Sequence, residues 1–376
     1  MMLLAACFAP VASAATSAGW DIAKIDGHEY VSVESVKQFY SLTKITRSGA
    51  SIVLENAKVE MKLNAGGNEC LMNNVKFVFS NPVAMIGEKA YVSRVDLAKL
   101  IDPVLRPNFI QNAGDFRTVI LDAGHGGKDP GATNALGNES DYNLKVAGLV
   151  KSLLVAKGFK VVMSRQSDVY LSLQERVELA NAVKESAIYV SIHFNSGSRA
   201  ARGIETFTLS PPGVSHYGSD WKATDNQTRA GNEHDSANIA LATSVHGSML
   251  RRLQNNTFDR GIKRARFSVL SGVRHPAILL EGGFMSHPYE ARIIENDAYQ
   301  NAIAGGIVAA EQRVDESDHR RGTAPRIVER LLDAAQAVTQ MLAGPFQKVG
   351  IGTPETVDAL LGIADHERAA RPFPVV

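Results

Sequence analysis

A chain of 376 residues is long enough for two domains, and its 45% hydrophobic content can fill substantial cores. A net charge of +1 with 21% charged residues argues against an electrostatic grip on nucleic acid. Two cysteines, Cys7 and Cys70, exclude a disulfide framework, and no run of about 18 apolar residues marks a membrane-spanning helix.

Residues 1–18 read as a signal-like segment. Met1 to Val11 is largely apolar and Ala12-Ser13-Ala14 fits a small-residue cleavage site, although a basic n-region is missing. Leu4-Ala5-Ala6-Cys7 also fits a lipobox, which would make Cys7 a lipid anchor. The expectation is an exported protein of the periplasm or cell envelope. Residues 19–108 alternate short strands with short helices, as a small α+β accessory domain would. Inside it, the stretch from Gly27 to Val36 is echoed from Gly87 to Leu97. Each copy has a turn glycine, a β-type Tyr-Val, a serine able to cap, and then a helical apolar pattern. Alternation in Ser51–Glu55 and Val59–Leu63 predicts a hairpin turning at Asn56. No cluster of His, Asp or Glu in this half suggests chemistry.

A linker with Pro, Asn and Gly runs from about Arg106 to Asp115. Residues 116–314 then alternate strand and helix, which predicts an α/β domain: a mostly parallel twisted sheet flanked by helices. Strands are expected at Arg117–Asp122, Phe159–Met163, Ala187–Ile192, Ile204–Leu209 and Ala277–Leu280. Helices are expected at Tyr142–Lys157, from Ser172 to about Lys184 and at Ser236–Gln254, and an Ala-rich stretch runs from Ala302 to Val314. Ser172 and Glu175 fit a capping box. Pro211–Glu233 is a long polar insertion of the kind that is functional or mobile. Residues 315–376 form a C-terminal tail, with Arg326–Leu342 as a candidate helix.

Open α/β sheets place their sites at the carboxyl ends of strands. Four residues of this chain stand there. His125 follows the first strand in Ala-Gly-His-Gly-Gly, His193 ends the third just ahead of Asn195, and Glu281 ends the last. Glu139 stands at the entrance to the Tyr142 helix, where the helix dipole alone would also favour a carboxylate. Two imidazoles and a carboxylate match a catalytic zinc site with a fourth position open for water, and a further carboxylate supplies the general base. Glu281 leaves an apolar strand with no cation beside it in sequence, a desolvation cost that zinc would offset and that would suit a base. Asp122 and Asn195 are candidates for orienting the histidines. Arg176, with Asn181, reads as a tie between helix and sheet, and His216, His234 and Asp235 read as surface residues rather than a lid. There is no G-x-G-x-x-G and no Gly-Lys-Ser/Thr, so the glycines around His125 do not form a nucleotide loop.

Five blocks carry a resemblance. They are Ile120 to Gly127, Glu139 ahead of Asn143-Leu144, Arg176 with Ala180-Asn181, Ser191 to Asn195, and Leu280 to Phe284. In this order they resemble the zinc-dependent N-acetylmuramoyl-L-alanine amidases of the amidase-3 type, over about residues 116 to 312. The resemblance implies Zn2+ held by His125, Glu139 and His193, with Glu281 as the catalytic glutamate. It implies hydrolysis of the amide joining muramic acid to the first L-alanine of the peptidoglycan stem peptide. It also leaves open an activator protein, because some relatives block the zinc with a helix near the Pro211–Glu233 region. The chain departs from the family in having Ala123-Gly-His where Pro-Gly-His is common. Residues 19–108 resemble the N-terminal-like domain of copper amine oxidases. The residues by themselves leave two alternatives open: another exported zinc peptidase or deacylase on the same site, and a non-catalytic wall-binding protein.

Overall fold

The computed structural model describes residues 19–110 and 116–312. The signal-like segment with Cys7, the candidate helix at Arg326–Leu342 and the rest of the tail lie outside the described residues.

The chain opens with β1 (Ile22–Ile25), β2 (His28–Ser32) and α1 (Val33–Phe39). An antiparallel meander follows: β3 (Lys44–Ser48), β4 (Ser51–Glu55), β5 (Glu60–Asn64), β6 (Glu69–Met72) and β7 (Val75–Val78). Next come β8 (Ala84–Ile86), β9 (Lys89–Ser93), α2 (Arg94–Asp96), a π-helical turn at Leu97–Ile101 and α3 (Asp102–Leu105). The predicted hairpin is β4–β5.

The internal echo becomes a pseudo-two-fold. β2 and β9 pair antiparallel as Tyr30↔Ser93, Val31↔Val92 and Ser32↔Tyr91, so the two Tyr-Val-Ser copies face one another head to tail. Both serines cap the helix that follows. Ser32 Oγ accepts the Ser35 N–H and Ser93 Oγ the Asp96 N–H, each at 3.2 Å, satisfying a donor the first helical turn would otherwise leave open.

The second half is built from β10 (Thr118–Ala123), the short pair β11 (Thr133–Asn134) and β12 (Gly137–Asn138), and α4 (Glu139–Val155). It continues with β13 (Lys160–Met163), α5 (Leu173–Ala182), β14 (Ala187–Asn195), β15 (Ile204–Leu209) and α6 (Asp235–Leu253). β16 (Asp259–Ala265), α7 (Ser268–Gly272), β17 (Ala277–Phe284), α8 (Pro288–Glu295) and α9 (Asp297–Gln312) complete it. The Ser172–Glu175 capping box is present at the start of α5.

β13, β10, β14 and β17 pair parallel in that order, as the alternation of strand and helix requires. β15 runs the other way, antiparallel to β17 and parallel to β16. The reason is the connection. Residues 196–203 contain no helix, and a parallel crossover needs about a dozen residues or more. As a result, the Pro211–Glu233 insertion leaves β15 at the sheet end opposite the carboxyl ends of β10, β14 and β17. Its anchor is Arg266, whose Nη2 donates to the carbonyls of Pro211, Val214 and Asp225.

The sheet does not stop at the linker. β16 pairs parallel with β7 through Ile262↔Phe77, which joins the meander to the α/β sheet in one sheet of 11 strands. A single buried cluster crosses the same seam, with Phe77, Leu100 and Ile101 packed in one core with Val245, Leu253 and Ile262. Cys70 lies buried within it as a free thiol. Helices α4, α6 and α9 cover one face of the parallel strands, while α5 and α7 cover part of the other. Among the described residues no helix is long and apolar enough to cross a membrane.

Candidate metal centre

The turn after β10 carries His125 in a left-handed conformation, φ +59°, that costs energy for a residue with a side chain. Two arginines hold it there. Arg165 donates to the carbonyls of Ala123 and Gly124, each at 2.9 Å, and Arg176 donates to those of Ala123 at 2.8 Å and His125 at 2.7 Å. Glycine is required at two positions for space. A Cβ on Gly124 would stand 2.1 Å from His193 Cε1, and one on Gly131 would stand 2.5 Å from Glu139 Oε2.

Three donor atoms converge beyond these turns. Glu139 Oε1 lies 3.2 Å from His125 Nε2 and 2.9 Å from His193 Nδ1, and one ligand atom from each of the three residues falls within 4.8 Å of the others. Glu139 is the first residue of α4, buried, with Oε2 accepting the Ala132 N–H at 2.9 Å. Its Oε1 also accepts from Asn143 Nδ2, one helical turn on, and from the Phe194 N–H. Burial alone would raise its pKa, but the two imidazoles reverse that and hold it well below the usual carboxylate range. Burial likewise lowers the His125 pKa, yet Glu139 and Asp129 carry it up to about 9. The positive charge that His125 gathers between two carboxylates is the charge a cation at the same spot would supply. Two imidazole nitrogens and an ionised carboxylate on rigid supports fit a divalent zinc ion.

Glu281 faces this group from the next strand, paired in register with His193. Its Oε2 is buried without a hydrogen-bond partner among the described residues. Burial, then the Glu139 and Glu205 carboxylates, push its pKa well above the ordinary value, with Lys263 opposing them.

The remaining expected residues stand elsewhere. Asp122, expected to orient a histidine, instead receives Arg176 Nη1 at 2.5 Å, the Tyr189 hydroxyl at 2.7 Å and the Ser191 hydroxyl at 2.9 Å. Burial raises its pKa, and the Arg176 cation and Tyr189 outweigh that and lower it. Asn195 donates to Glu205 at 2.6 Å rather than to an imidazole. Arg176 reaches the His125 turn through the backbone, and Asn181 bonds Gly272 and Arg274. His216 accepts from the Arg266 N–H, His234 meets the Arg274 carbonyl, and Asp235 pairs with Asn232 and Lys99. Sequence reasoning passed over Asp129, whose Oδ2 lies 2.8 Å from His125 Nδ1. The signal was the spacing of four residues across a Gly-Gly turn. It also missed Arg165 and Asn143.

A family profile described as N-acetylmuramoyl-L-alanine amidase matches residues 119–313. The Bacillus subtilis protein YqiI is 35% identical over 192 residues, covering 51% of this chain and 82% of that one. The endolysin of Bacillus phage SPP1 is 32% identical over 192 residues, covering 50% of this chain and 63% of its own length. Among solved structures, the catalytic domain of CwlV from Bacillus (Paenibacillus) polymyxa var. colistinus is 31% identical. The match covers 52% of this chain and 97% of that one, with a TM-score of 0.43.

Proposed function

The chain belongs to the amidase-3 family of N-acetylmuramoyl-L-alanine amidases, and on that premise we propose that it is a zinc-dependent, exported hydrolase of peptidoglycan. The bond cleaved is the amide between N-acetylmuramic acid and the L-alanine of the stem peptide. The observation that carries this reading is the convergence of His125 Nε2, His193 Nδ1 and Glu139 Oε1 beside the unpartnered Oε2 of Glu281.

His125, Glu139 and His193 would hold the ion. When bound, zinc brings the proton affinity of water toward neutrality and polarises the scissile carbonyl. Glu281 takes the proton of the attacking water on Oε2 and returns it to the leaving amine. Asp129 binds the Nδ1 side of His125 and so directs Nε2 toward the ion. Arg165 and Arg176 keep the turn that presents that ring. Residues 19–108 are read as the accessory module that resembles the N-terminal-like domain of copper amine oxidases, built onto strand β16 of the amidase sheet.

The test is mass spectrometry of soluble fragments released from purified peptidoglycan, with zinc and after chelation. Free stem peptides with an L-alanine amino terminus, lost on chelation, are the expected products. Cleavage within the peptide would replace the bond while keeping the metal chemistry. No release by zinc-loaded protein would point to a blocked site or a missing activator protein.

A further inference from the structure

His193 on β14, Glu281 on β17 and Glu205 on β15 stand abreast, paired in register across three strands. Residues so paired project to one face of a sheet, and the row leads from the metal centre toward β16. The Glu205 carboxylate is buried and fully engaged. Its Oε1 accepts from Asn195 at 2.6 Å, and its Oε2 accepts from Arg260 Nε at 2.9 Å and from the buried Lys263 ammonium. One carboxylate therefore carries two cations, and Lys263 also faces Glu281 while Arg260 also faces Glu290.

Of the two cations, Arg260 is the one that reaches solvent. Lys263 is buried, whereas the Arg260 side chain is 33% exposed. Its guanidinium lies over the Phe284 ring, 4.6 Å from the centroid, and Phe284 is itself held by the Glu290 carboxylate through its N–H at 2.7 Å. Glu290 spends its other oxygen on the Gly203 N–H. A guanidinium fixed through Nε and stacked on a ring has surrendered most of its freedom before any ligand arrives. Among the described residues, no acceptor bonds its two Nη groups. Those groups form the planar fork that matches a carboxylate.

We propose that Arg260 binds a carboxylate of the stem peptide on the leaving-amine side of the scissile bond, and that the site thereby prefers peptides with a free acid near that bond. This rests on the amidase reading above. The site then reads two things along one row: the amide at His193 and Glu281, and an anionic peptide beyond Glu205.

The experiment compares zinc-loaded protein on two soluble muropeptides that differ only in a carboxylate or a primary carboxamide on the second peptide residue. The unsubstituted protein is expected to favour the acid by at least about tenfold in kcat/KM, the usual value of a charge-assisted contact. Arg260→Gln brings the two substrates within about twofold of each other, chiefly through KM for the acid, and Arg260→Lys falls between, as expected for a point charge without the fork. Melting temperature and bound zinc, measured on each variant, separate this from misfolding. Equal rates on acid and amide by the unsubstituted protein, or a preference that survives Arg260→Gln in folded protein, would overturn the inference and leave the amidase reading standing. Cleavage of neither substrate would overturn the inference, and the peptidoglycan assay above then decides the amidase reading.

Discussion

Arg264 on β16 reaches across the seam of the molecule to Asp96 in α2, its Nη1 lying 2.9 Å from Asp96 Oδ1 with both side chains buried. Asp96 also accepts the backbone N–H groups of Ser80 and Asn81. Lys263, the residue before Arg264, contacts Glu205, which pairs in register with Glu281. The N-terminal half is therefore built into the strand that borders the site, not tethered beside it.

Asp96→Ala is expected to destabilise the whole described fold by about 3–5 kcal/mol, because it strands a buried guanidinium. Denaturant unfolding measures it, and a single shifted transition is the expected form. Removing residues 19–110 should yield aggregating protein, since the β16 edge and the Arg264 charge both lose their cover.

Glu281→Gln keeps the size of the side chain and removes the base. Turnover should fall by roughly 10²–10⁴-fold while zinc content stays near one per chain. Metal analysis beside a fragment-release assay checks it, and undiminished turnover would rule out the role.

Asp129→Ala leaves His125 Nδ1 without its carboxylate. Zinc affinity should drop by about 10–100-fold, read by competition with a chromophoric chelator. Activity should return when zinc is supplied in excess.

Gly124→Ala probes space rather than chemistry. The new Cβ would lie 2.1 Å from His193 Cε1, so the ring must move. Stability should fall by about 1–3 kcal/mol, the cost of overpacking, while metal binding suffers far more than the melting temperature. Intact zinc affinity in this variant would contradict the close approach.

Glu290 supplies a pH dependence. Burial raises its pKa from 4.5 to about 7, although the N–H groups of Phe284 and Gly203 oppose the rise. The folded value lies above the unfolded one, so the native state holds a proton that the unfolded chain has lost. Its contribution is complete below about pH 4.5 and is lost as pH rises through about 7. The loss is at most about 3 kcal/mol. Urea unfolding at pH 5 and pH 8 should show this fall, and the corresponding slope should be missing in Glu290→Gln.

The features legible in the sequence are local ones. The Tyr-Val-Ser echo, the Ser172–Glu175 capping box and the apolar runs ending at His125, His193 and Glu281 follow from strand period, capping chemistry and where a polar residue interrupts a buried run. These depend on neighbours a few residues away, so a linear reading finds them. The tertiary structure alone decided the direction of β15, the pairing of β16 with β7, the partner of Asp122 and the placement of Arg260 over Phe284. β16 is not legible in the sequence because its run from Asp259 to Ala265 carries charges in adjacent pairs rather than in alternation, and Lys263 and Arg264 are buried only by partners far off in sequence. Arg264 and Asp96 are 168 residues apart. A charge pattern that looks solvated in one dimension becomes interior when folding brings its counter-ion, and no local period records which counter-ion that will be.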